Sequence, residues 1–168
     1  MTSFRNILFI AFLLLASISC QSRKAPIAEL QDQLVKDSIS LNKLQVKYQD
    51  RLQADFHWCD SMLMFVPKDQ IDRFFNTLNL TQAYLNQFNE MLPVMKHDIT
   101  YTRQQLVNLQ NDLDTHYISD SLFHVYLKDE HAVADTLHNR ILYFQDRLNQ
   151  QDRELQSLKK NIGKAASK

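Results

Sequence analysis

The stretch that decides the fold is Ile71–Leu113, IDRFFNTLNLTQAYLNQFNEMLPVMKHDITYTRQQLVNLQNDL. Alternating steps of three and four residues land on Ile71, Phe74, Leu78, Thr81, Leu85, Phe88, Leu92, Met95, Ile99, Thr102, Leu106, Leu109 and Leu113. Eleven of these thirteen positions are apolar, where an overall apolar content of 45% would place about six. A repeat averaging 3.5 residues is the signature of helices packed with a left-handed supercoil. At 1.5 Å per residue it predicts a helix of roughly 64 Å.

Pro93 falls inside this run, and proline kinks or breaks a helix. The frame does not slip there, because Leu92 and Met95 stay in phase with both sides. Pro93 itself takes an outward position. The expectation is one long helix kinked near residue 90, not two helices joined by a loop. Phe75, Tyr84 and Met91 widen the apolar stripe in its first half, so that half should meet two partner helices.

The flanking segments repeat the pattern. A first helix is expected from Pro26, a favoured first-turn residue. Ile27, Leu30, Leu34, Leu41, Leu44 and Tyr48 share one frame, with Asp37 the polar exception. The frame then moves to Leu52, Phe56, Cys59 and Leu63, which reads as a four-residue stutter that locally unwinds a supercoil. Met62–Val66 is wholly apolar and stops at Pro67, so the first turn belongs there. A second connection spans His116–Asp120, with Ser119 or Asp120 able to cap a third helix. Ile141, Phe144, Leu148, Gln151, Leu155, Leu158 and Ile162 carry that helix to a stop at Gly163, leaving Ala165–Lys168 as a frayed tail. The predicted fold is all-α: three long antiparallel helices in an elongated coiled-coil-like bundle or hairpin, running up, down and up.

Composition supports this and excludes much else. One glycine and three prolines in 168 residues argue against strands and tight turns. Glycine-rich phosphate loops are absent from the sequence for the same reason. Nineteen basic and nineteen acidic side chains leave no basic field for nucleic acid.

The N-terminus carries the most specific signal. Arg5 precedes the apolar run Ile7–Leu15, then Ala16-Ser17-Ile18-Ser19-Cys20. The run is about half the ~20 residues needed to span a bilayer. A basic start, a short apolar core and small residues match a secretory signal over residues 1–19. The residues alone leave open cleavage near Ser19 with Cys20 a free thiol, or an uncleaved anchor. With a cysteine at the cut, the segment resembles the lipobox of a bacterial lipoprotein, although Ser17 departs from the usual Leu, Val or Ile. That resemblance implies lipid attachment at Cys20, a short tether over residues 20–25, and an outer-membrane anchor facing the periplasm. The helical domain would follow over residues 26–163, and residues 20–168 would hold 18 basic and 19 acidic side chains. Cys59 would then lack a disulfide partner in the chain, and its apolar neighbours Phe56 and Met62 favour a buried thiol.

Candidate chemistry is sparse. His124, His131 and His138 are seven apart, about 10.5 Å between neighbours, too far for one metal ion. His131, Asp135 and His138 are closer, but no second carboxylate–histidine pair completes a bundle metal centre. Neither a catalytic dyad nor a metal or other cofactor is expected, and the chain is expected not to be an enzyme and to have no small-molecule substrate. Phe56, His57, Trp58, Phe65, Phe74 and Phe75 gather near the first turn. They read as the packed end of a bundle, with an exposed partner-binding tip as the alternative. Four short motifs, Asp37-Ser38-Ile39, Asp60-Ser61-Met62, Asp120-Ser121-Leu122 and Asp135-Thr136-Leu137, resemble the acceptor motif of general O-glycosylation in Bacteroides-like bacteria. The implied acceptors are Ser38, Ser61, Ser121 and Thr136. The expected partners are a membrane, through the N-terminal lipid, and other proteins or further copies of the chain. A spacer or interaction module in the periplasm is the leading functional expectation. A holdase or assembly factor clasping client proteins is the second.

Overall fold

The computed structural model describes residues 2–166, and the side chains of residues 24–164 other than 49, 50, 69, 70 and 73. The fold is all-α, in three helical arms, with no strand among the described residues. The first arm is α1 (Thr2–Gln45), a π-helical turn (Val46–Asp50) and α2 (Arg51–Met62). A single 3-10 turn, Leu63–Phe65, ends it. The second arm is α3 (Lys68–Asp114) and the third is α4 (Asp120–Ala166).

Twelve of the thirteen heptad positions of α3 are buried, and Ile71 is half-buried. α3 runs unbroken through Pro93, which is exposed. An outward proline forfeits one backbone hydrogen bond without disturbing the packed face. Of the residues flanking the stripe, Tyr84 and Met91 are half-buried, while Phe75 is 51% exposed.

The chain forms two compact units. One comprises residues 1–36 and 100–135. Its described core is Ile27, Leu30 and Leu34 from α1, Leu106, Leu109 and Leu113 from α3, and Phe123, Leu127 and Ala134 from α4. Lys24 and Asp114 form an exposed ion pair across it at 2.8 Å.

The other unit comprises residues 37–99 and 136–168. Its contacts give the direction of each arm. His138 meets Asp37, Asn149 meets Tyr48, Asp152 meets Arg51 and Gln156 meets Asp55. In each of these pairs the α4 residue is 101 positions on, so α4 runs parallel to the first arm. Asp98 with Arg140 and Thr81 with Gln151 pair in descending order, so α3 is antiparallel to α4. The rings of Phe88 and Phe144 pack edge to face at 5.5 Å in the core.

Four local features differ from the sequence expectation. α1 does not begin at Pro26 but contains it, so residues 20–25 are helical in backbone. Proline is compatible with a first turn or with a helix it only weakens, and spacing cannot tell these apart. The frame shift after Tyr48 is taken up by the π-turn, not by a stutter in continuous α-helix. A π-turn inserts one residue, which keeps Tyr48 and Leu52 both in the core. α4 passes through Gly163 to Ala166, and Gly163 has no positive φ, so it is not a left-handed cap. The left-handed cap occurs at His116 instead, with φ 55°. His116 N–H donates to Leu113 O and Tyr117 N–H to Asp112 O, the paired bonds of a Schellman ending on α3. Ser119 then caps α4, its Oγ accepting from Leu122 N–H.

Candidate functional site

Polar side chains interrupt the apolar core at Asp37, Thr81, Thr102 and Gln151. Asp37 occupies a core position of α1 and is 3% exposed. His138 on α4 brings Nδ1 to 2.7 Å from its Oδ1, while Oδ2 has no hydrogen-bond partner. Thr81 on α3 donates to the Oε1 of Gln151 on α4 at 2.9 Å, both fully inside the core. These are polar layers in an apolar seam, and such layers select register between helices. His138 therefore faces a core carboxylate. His131 is half-buried and Asp135 is exposed on α4. No group of three His, Cys, Asp or Glu side chains able to hold a metal ion occurs among the described residues.

Cys59 is buried and free, and burial pushes its thiol up to about 11. Such a thiol is a poor nucleophile at neutral pH.

No family model, curated protein or solved structure matches this chain.

The aromatic group near the first turn divides into two sets. Phe56 and Phe74 are buried. Trp58 is partly covered, with Lys159 Nζ 5.3 Å from its ring centre. Phe65 and Phe75 face solvent, and Met64 beside Phe65 is 76% exposed. The cause is local. Val66 adopts extended backbone at φ −88° and ψ 138°, the geometry favoured before proline, and its side chain turns inward. The preceding 3-10 turn then carries Met64 and Phe65 outward. The signal for this exposure was the run Met62–Val66: five consecutive apolar residues exceed what one face of a helix can bury.

Ion pairs line the seam between α2 and α4. Arg51 meets Asp152 at 2.5 Å and Lys159 meets Asp55 at 2.5 Å. Burial opposes ionisation of Asp55, but hydrogen bonds from Lys159 and Gln156 outweigh it and hold the carboxyl below its ordinary range. Hydrogen bonding to Asp152 holds the Arg51 guanidinium above its own.

Cys20 lies outside the residues whose side chains are described. Ser38 is half-buried in α1, next to the buried Asp37. Ser61 is exposed, and its Oγ donates to His57 O at 2.5 Å within α2. Ser121 is exposed in the first turn of α4, 3.0 Å from the Ser119 hydroxyl. Thr136 is exposed within α4. Each of the four residues that match the acceptor motif lies on a helix. Among the described residues no helix is long and apolar enough to cross a membrane.

Proposed function

We propose that the chain is a lipid-anchored envelope protein, held at Cys20, whose helical part serves as a spacer and protein-interaction module in the periplasm. The observation that carries the anchor is the segment Arg5, Ile7–Leu15 and Ser19-Cys20. Several acyl chains on Cys20 would hold the protein stably at a bilayer, where a single chain gives only marginal binding. The interaction role is supported by the exposed Met64, Phe65 and Phe75 around the α2–α3 turn, since aromatic residues and methionine are enriched at interfaces. Attachment of sugars at Ser38, Ser61, Ser121 or Thr136 belongs to the same proposal, as a modification of an exported protein. Membrane fractionation of cells expressing wild type or Cys20→Ala tests the anchor. Wild type is expected in the membrane fraction and Cys20→Ala in the soluble one. Retention of Cys20→Ala with the membranes would sink the proposal.

A further inference from the structure

α1 carries a second, outward apolar stripe beside its core stripe. Ile39, Asn42 and Val46 are spaced by three and four residues, so they share one side of the helix. Ile39 is 49% and Val46 72% exposed, while Leu41, Leu44 and Tyr48 of the same segment are in the core. With Lys43 and Lys47 these residues line an open groove of about 640 Å³. Val46 also opens the π-turn, a feature frequent at functional sites. Residues 38–47 contain two lysines and no acid, and Lys47 donates to Asn149. The groove is therefore apolar along its floor and positive along its side.

A stripe of matching form lies on α4. Tyr126, Asp129 and Val133 repeat the three-and-four spacing, with Tyr126 46% and Val133 47% exposed. Here the charge is reversed. Residues 120–135 carry Asp120, Asp129, Glu130 and Asp135 against Lys128 alone. Burial, and then the neighbouring charge of Asp129, push the Glu130 carboxyl above its usual range.

Both stripes read apolar, polar, apolar, with Asn42 and Asp129 at their centres. An amide opposite a carboxylate forms a hydrogen bond whichever way the two helices run, and a central polar pair fixes register. Neither stripe suits its own duplicate: Lys43 would meet Lys43 and Asp129 would meet Asp129, and like charges in register disfavour pairing. Each suits the other. We propose that copies of this chain associate heterologously, the α1 stripe Ile39–Asn42–Val46 of one copy packing on the α4 stripe Tyr126–Asp129–Val133 of a second. A heterologous contact joins different patches of two identical chains. This contact does not depend on acylation of Cys20.

Disulfide trapping tests it with full-length chains bearing Cys20→Ser, so that only buried Cys59 and the introduced thiol remain. One chain carries Asn42→Cys and one epitope tag; the other carries Asp129→Cys and a different tag. Mild copper-phenanthroline oxidation of the mixture should give a product of twice the chain mass bearing both tags, and neither chain alone should cross-link. Lys43→Glu in the first chain should lower the yield about tenfold, and adding Glu130→Lys to the second should restore it, since each 1.4 kcal/mol is a factor of ten. A product lacking one tag, equal cross-linking by either chain alone, no mixed product, or a yield indifferent to the charge reversal would each overturn the proposal.

Discussion

Asp37 occupies a place in the α1 core that Leu or Ile would fill, and it is held there by a single partner, His138. A buried carboxylate with one oxygen unpaired loses more by leaving water than a single hydrogen bond returns. Asp37→Leu should therefore raise stability by about 2 kcal/mol, as replacing buried polar groups with well-packed apolar ones does. His138→Ala should lower it by about 2 kcal/mol, because the carboxylate stays buried without its donor. Urea unfolding of both variants beside wild type checks the opposite signs. If the two shifts had the same sign, Asp37 would not be the unfavourable core group described. The sequence marked Asp37 as an exception and His138 as a member of a histidine series. It could not join them, because the partner is 101 residues away and a heptad gives phase along one helix, not pairing between two.

Helix interiors and both connections were legible in the sequence, while the outer helix ends and the dihedrals of the caps were not. Twelve of the thirteen frame positions of α3 and the regular half of α4 are buried as their spacing requires, because a 3.5-residue repeat maps directly onto one face of a helix. Ends depend on one or two backbone dihedrals. The α3 ending uses His116 at φ 55°, where glycine would be the expected residue, so no glycine announced it. The π-turn at Val46–Asp50 was hidden for a related reason. Three successive four-residue steps from Leu44 to Phe56 fit either a stutter or an inserted residue. His116→Gly removes the cost of a left-handed L-residue and should stabilise the protein by about 1 kcal/mol, offset in part by the greater freedom of glycine in the unfolded chain. Thermal unfolding measures this. A lowered melting temperature would mean that the His116 side chain contributes more than its backbone strain costs.

For the whole molecule, the helical fold is shown, whereas the envelope compartment is a proposal that rests on residues 1–20. The turn at Met64–Phe65 and the outward stripes of Ile39 and Val46 and of Tyr126 and Val133 are exposed apolar surface. Under the function proposed above, the protein would act by where it is held and by what it touches, and that proposal rests on Cys20. The intact mass of the protein purified from its own cells, with its N-terminal peptide sequenced, tests this most directly. The expected product is a chain beginning at Cys20, residues 1–19 removed, with acyl chains on that cysteine and any further increment assignable to sugars on Ser38, Ser61, Ser121 or Thr136. A chain retaining residues 1–19, an unmodified Cys20 thiol, or a Cys20–Cys59 disulfide would contradict it.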